Sequence, residues 1–335
     1  LISSIPGKAI GMQRTTIPYV THTSNPLRAR RTSDGKVGAA CVKVSPGCQN
    51  CYAEAINRRF GTGLPYAAGN LAQVEVFLDE RELQRIFCAR GGKRIFVGDM
   101  MDIFLDEVSD RMLDRVFGIF AARPDLTFLI LTKRVERMQA YLSTRGRREI
   151  IGKAISQVCL PCDWPLPNLW VGTTIEDQQR ADERVPPLLA TPAAVRWVSC
   201  EPLLGPIDLR LLGTAPGVWV PVGNLLHWVV VGGESGPKAR PMHPAWAESL
   251  RDQCQAARVS FFFKAWGAWY PDCWCGTPHP HQTTPRPEPG GIGKMFRCGK
   301  SAGVGRRLEG QEWNELPGAV NVVQRLSEKR LEDRE

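Results

Sequence analysis

Cys41, Cys48 and Cys51 put three thiols within eleven residues, and this is the group in the chain best equipped for chemistry. The segment reads Cys-Val-Lys-Val-Ser-Pro-Gly-Cys-Gln-Asn-Cys-Tyr, with Pro46-Gly47 turning the backbone just before the second thiol so that it can wrap a metal. Three thiolates leave one iron of a four-iron cluster without a protein ligand, free to coordinate a small molecule. A structural zinc site wants four ligands; His22 lies far upstream, and Cys200 or Cys254 can join only through the fold. C-x-x-C spacing is common to both metals, so on spacing alone a cluster, a zinc site and unligated thiols all stand.

Further chemistry-bearing residues fall where short apolar runs end. Ile95-Phe96-Val97 ends in Gly98-Asp99, 127–131 in Thr132-Lys133-Arg134, and Leu169-Trp170-Val171 in Gly172-Thr173-Thr174. Residues 195–198 end in Ser199-Cys200-Glu201, 228–231 in Gly232-Gly233-Glu234, and 259–263 in Lys264. Glu201 and Lys264 are read as a carboxylate and an amine that bind substrate or shuttle protons, or else as a buried salt bridge. Lys133 and Arg134 suit phosphate or carboxylate, and Arg134 equally suits a structural acid. Asp99 and Asp102 either serve a ligand or cap the helix that follows. Cys200 suits hydrogen-atom donation or plain burial as a small hydrophobe.

Six β-rich runs separated by crossover-length material require a parallel sheet, because parallel neighbours need long right-handed connections. Residues 109–122 place Met112, Val116, Ile119 and Phe120 on one helical face, with Ser109 as cap and Pro124 beyond the end. Helical material follows at 135–142, 177–189 and 244–257, and His243 is read as a cap or surface imidazole. A seventh strand is expected at 37–42. The fold expected is therefore α/β, a partial or closed parallel (β/α) barrel, with a doubly wound open sheet as the alternative. The expected organisation is an N-terminal segment 1–36, a barrel 37–270 with the cysteine loop at 41–52, a Pro/Gly/Cys-rich insertion 271–300 and a tail 301–335 with a helix at 319–334. In the insertion, Cys273, Cys275, His279 and His281, with Cys298, have ligands enough for a second metal, whereas Cys159 and Cys162 read as a loop pair of free thiols.

A chain of 335 residues with 43% hydrophobic content can bury a large core. No stretch approaches the ~18 apolar residues of a membrane span, and no signal-peptide core opens the chain, so a cytoplasmic protein is expected, without membrane attachment. Eleven cysteines in a chain this long point to metal ligation or burial rather than a disulfide framework. A net charge of +9 favours polyanions such as nucleic acid, although the runs at Arg28–Arg31, 145–148 and 306–307 read first as solvated surface.

The segment from Cys41 through Cys48 to Cys51-Tyr52-Ala53-Glu54 resembles the three-cysteine motif of a phage- and prophage-associated family of uncharacterised proteins. The resemblance continues through Ile95 to Asp102, Leu131-Thr132-Lys133-Arg134, Val198 to Pro206, Gly232-Gly233-Glu234-Ser235-Gly236 and Phe261 to Gly267, and covers about 35–270. Those proteins are similar to radical S-adenosylmethionine enzymes and are often accompanied by a three-Cys-motif partner protein. The resemblance implies a partial barrel with a [4Fe-4S] cluster on Cys41, Cys48 and Cys51 and S-adenosylmethionine at the open iron. It implies cofactor contacts from Tyr52 and Asp99 and from Gly232, Gly233 and Glu234, whose carboxylate chemistry suits an ammonium group, although this segment follows a late strand and not the second and reads otherwise as a tight strand-to-loop turn in which glycine serves backbone geometry. Two departures stand out: six residues instead of three separate the first two cysteines, and Asn50 replaces the aromatic residue before the last, with Tyr52 just after it. The expected function is cleavage of S-adenosylmethionine to a 5′-deoxyadenosyl radical that modifies or repairs a nucleic-acid base. The alternative is a nucleic-acid-binding or partner-dependent module with structural zinc.

Overall fold

A computed structural model describes residues 12–154, 163–215, 218–221, 225–271, 282–283, 296–297 and 304–318. It is a mixed α/β fold that divides into two compact units, Leu1–Thr174 with Ala190–Ala193, and Ile175–Leu189 with Ala194–Glu335.

The first unit runs β1 (Gln13–Arg14), β2 (His22–Ser24), β3 (Leu27–Arg31), β4 (Val37–Gly38), α1 (Tyr52–Phe60), β5 (Val74–Leu78), α2 (Glu80–Phe87), β6 (Arg94–Val97), α3 (Asp110–Ala122), β7 (Thr127–Thr132), α4 (Val135–Ser143), α5 (Arg147–Lys153) and β8 (Leu169–Thr174). Strands β2, β6, β7 and β8 pair in parallel in that order, and β1 adds an antiparallel edge beyond β2. That edge stands where a closed barrel would need another parallel neighbour. Ser109 caps α3 by accepting from the Met112 N–H, and α3 buries Leu113, Val116, Phe117, Ile119 and Phe120. Phe120 stacks on Phe128 of β7 with centroids 4.2 Å apart. Each such buried ring contributes about 1.5–3 kcal/mol, which fixes the helix to the sheet.

The strand expected at 37–42 is a correction. Only Val37–Gly38 is extended, and it pairs with β3 in a separate antiparallel sheet of order β4-β3-β5. The strand stops because the buried Asn57 side chain of α1 captures the Ala39 N–H at 2.9 Å, replacing a ladder bond. The first parallel strand is instead β2, inside the segment read as an N-terminal extension. Arg28–Arg31 lies in β3, where Leu27 and Ala29 are buried, Arg30 is exposed and Arg28 and Arg31 are half-buried. Arg147 is not solvated: it is 4% exposed, donates to Asp114 at 2.7 Å and lies over the Tyr141 ring.

The second unit contains most of α6 (Gln178–Ala190), then β9 (Val195–Cys200), a β10/β11 hairpin (Leu211–Ala215 and Val218–Pro221), β12 (Trp228–Gly232), α7 (Pro244–Ala257) and β13 (Ser260–Ala265). Strand β12 lies between β9 and β13, parallel to both, and is buried along its whole length, which matches its unbroken apolar run. His243 caps α7, its Nδ1 accepting from the Ala245 N–H at 3.1 Å. After β13 the chain returns so that Trp313 O accepts from the Phe263 N–H. The thiols Cys159, Cys162, Cys273, Cys275 and Cys298, with His279, His281 and the helix expected at 319–334, lie outside the described residues. No helix among the described residues is long and apolar enough to cross a membrane.

Candidate functional site

Parallel strands place all their C-termini on one edge, so in the first unit Ser24-Asn25, Gly98-Asp99 and Thr132 to Arg134 share an edge. The cysteine loop, between β4 and α1, is built by local rules. Pro46 opens a single 3₁₀ turn that ends at Cys48, whose N–H donates to Ser45 O. Cys51 is the residue just before α1, at the end where helix N–H groups lack intrahelical partners. Lys43 ties the loop to the helix, with Nζ 2.6 Å from Glu54 Oε2 and donating to Gln49 O at 3.4 Å. Asn57 anchors the far side, and a Cβ on Gly38 or Gly61 would stand 2.4 or 2.2 Å from its Oδ1, so only glycine fits there.

Cys41, Cys48 and Cys51 are free thiols, each half-buried. Burial, and after it the Asp102 carboxylate, raise the Cys41 thiol above its ordinary value, while the Arg134 guanidinium and the Asp102 N–H act in the opposite direction. Among the described residues, no three His, Cys, Asp or Glu side chains gather as a site for one metal ion. Three soft thiolates are the donor number and type that a multi-iron group takes, each on a different iron.

Two acids organise the surroundings. Asp102 accepts from Thr132 Oγ1 at 2.7 Å, Phe104 N at 3.0 Å, Lys133 N at 3.1 Å and Arg134 Nη1 at 3.0 Å. With side chains 12% and 9% exposed, Arg134 and Asp102 are a largely shielded pair, and Asp102 positions the cation that faces Cys41. Asp99 accepts from Asn25 Nδ2 at 2.6 Å, and burial raises its carboxyl against that hydrogen bond. Tyr52, 54% exposed, donates its hydroxyl to Asp99 O at 2.7 Å, and Tyr66 donates to Met100 O at 2.7 Å. Sequence reasoning missed Asn25, Lys43 and Tyr66; only Lys43, inside the motif, carried a signal.

In the second unit the strand-end acids each meet a cation. Lys264 Nζ lies 2.9 Å from Glu201 Oε1, and Ser199 Oγ donates to Glu201 Oε2. Glu234 is 6% exposed and takes Arg240 through its N–H, Nε and Nη2 at 2.8, 2.8 and 2.6 Å. The carboxylate expected to receive a cofactor's ammonium therefore holds Arg240. Gly232 and Gly233 serve backbone approach: a Cβ on Gly233 would stand 1.9 Å from Trp266 O, and one on Gly232 2.8 Å from Glu201 Oε1. Cys200 is wholly buried, and burial raises its thiol.

A mixed α/β chain with parallel strands and a free three-thiol loop defines the class. Within it, the chain belongs to the family described as Protein of unknown function (DUF5131), which matches residues 14–317. No curated protein and no solved structure matches the chain.

Proposed function

We propose that this chain is a radical S-adenosylmethionine-like iron–sulfur enzyme, built on a partial (β/α) barrel, that modifies or repairs a nucleic-acid base. The observation that carries the reading is the trio of half-buried thiols beside the Asp102–Arg134 pair at a parallel-sheet edge. Cys41, Cys48 and Cys51 would hold a [4Fe-4S] cluster, which with S-adenosylmethionine supplies reductive cleavage to a 5′-deoxyadenosyl radical. Arg134 and the Asp102 N–H stabilise negative charge on the Cys41 sulfur, and Asp102 keeps Arg134 aimed there. Tyr52 at the start of α1 and Asp99 just past the end of β6 would contact the cofactor. Glu201 and Lys264, already 2.9 Å apart, are suited to exchanging a proton with substrate.

The basic balance supports a nucleic-acid substrate, and the resemblance to phage-associated proteins supports a phage context and a three-Cys-motif partner. A cytoplasmic setting would keep the thiols reduced. The test is anaerobic reconstitution with iron and sulfide, dithionite reduction and assay of 5′-deoxyadenosine. Visible absorption and product are expected. A colourless protein containing zinc would overturn the reading.

A further inference from the structure

We propose that α1 and the cavity beside it bind single-stranded nucleic acid, with one unstacked base in the cavity. The inference deepens the function proposed above and rests on its nucleic-acid substrate, but the residues that test it, Phe60, Arg58, Arg59 and Val37, are separate from the thiols and from the proposed cofactor contacts.

Tyr52, Ile56 and Phe60 recur every four residues on α1 and so share one helical face, yet they are 54%, 43% and 72% exposed. A surface helix ordinarily turns such a stripe inward. Val44 of the cysteine loop adds another exposed apolar side chain, 46% accessible. The stripe is interleaved with charge: Arg58 and Arg59 are exposed on the last turn, and the Arg59 guanidinium lies 4.8 Å from the Phe60 ring centroid. Ring and cation together make a flat platform with phosphate-pairing charge at its edge, the combination by which single strands are held without sequence preference.

Ile56 and Phe60 also line a cavity of about 430 Å³, together with Arg28 of β3 and Arg85 of α2. That volume falls in the range of small-molecule sites, roughly 300–1,000 Å³, enough for a nucleotide. Glu82 is the one carboxylate in the lining and pairs with Arg85, as Arg28 pairs with Asp79, so the lining carries matched charge and the cations for phosphate are Arg58 and Arg59 of α1. Gln13 and Thr23 supply an amide and a hydroxyl for a base edge. An apolar partner protein would be served by the stripe, but not by the exposed guanidinium groups of Arg58 and Arg59 beside it. The arrangement favours an extruded base, whose ring stacks on Phe60 while its backbone meets the arginines.

The experiment uses the full chain without iron, so that binding is read independently of radical chemistry. Fluorescein-labelled DNA and RNA single strands of about 12 nucleotides, a length within the usual site range, are titrated by anisotropy against a duplex of the same sequence. Single strands are expected to bind more tightly than the duplex, and the DNA and RNA arms show which is preferred. Phe60→Ala is expected to weaken binding about tenfold, with Phe60→Trp retaining it. Arg58→Ala with Arg59→Ala is expected to flatten the salt dependence. Because Phe60 is 72% exposed, its substitution is expected to leave thermal unfolding unchanged. Val37→Trp, which narrows the cavity, is expected to remove the emission change of a central 2-aminopurine while anisotropy binding survives. Unaltered affinity in Phe60→Ala, or equal affinity for duplex, would overturn the proposal. If 5′-deoxyadenosine forms but no strand binds, only this inference fails; if strands bind but no cluster assembles, only the radical reading fails.

Discussion

The two sheet edges of this molecule handle polar groups in opposite ways. At the second unit's edge Glu201 meets Lys264, Glu234 meets Arg240, and near them Glu176 meets Arg184, so acid and base neutralise one another inside the fold. At the first unit's edge the acid Asp102 also has its cation, but Arg134 faces onward to a sulfur, and three thiols stand without disulfides. An ion pair closed on itself holds loops in place, whereas soft donors held beside a positioned cation are suited to ligation. The contrast separates the Glu234–Arg240 and Glu176–Arg184 pairs, which maintain the fold, from the soft donors available to a cofactor, although both arise from the same strand-end pattern.

The largest expected effect lies on the thiol side. Cys48→Ala should abolish both visible absorption after reconstitution and 5′-deoxyadenosine formation, with little change in thermal unfolding of the iron-free chain. Product persisting in that variant would remove the basis of the contrast. On the other side, Arg184→Met takes the cation away from buried Glu176; the Arg184 and Glu176 side chains are 6% and 0% exposed. A loss of about 3–5 kcal/mol is expected in urea unfolding, with partial recovery when Glu176→Gln is added. A loss within error would mean that the second edge does not depend on its pairs.

Asp102→Asn sharpens the comparison at its middle. An amide cannot accept from all four donors, so about 2 kcal/mol of stability should be lost. Arg134 also loses its anchor, and the reconstituted absorption should bleach faster in air than in the native protein. Equal bleaching would show that the pair serves the loop alone. The smallest effect is expected from Lys264→Met, since the lysine side chain is 34% exposed and solvent screens the pair. About 1 kcal/mol should be lost. If the pair exchanges protons with substrate, S-adenosylmethionine cleavage persists while modification of the nucleic acid falls, separating a catalytic role from a purely structural one.

Much of the scaffold was legible along the chain. The six apolar runs appear as β6, β7, β8, β9, β12 and β13, and α7 covers the span its pattern indicated. Ser109 and His243 cap their helices because both local signals act within three residues. The strand β2 was hidden, since His22-Thr23-Ser24 has no apolar run; Thr23 and Ser24 are buried by their neighbours and not by their own hydrophobicity. The contact between Asn25 and Asp99 spans 74 residues, a separation over which no spacing rule operates.

Sequence alone determined the thiol trio, the strand-ending polar residues and the parallel sheet, because turn chemistry and apolar runs act over a few residues. Only the tertiary structure decided how each polar group was used. It gave Glu234 to Arg240, set Asp102 and Arg134 against Cys41, and left Tyr52, Ile56 and Phe60 facing outward. Pairing and burial are properties of surfaces brought together from distant parts of the chain, and a linear pattern does not encode which of them meet.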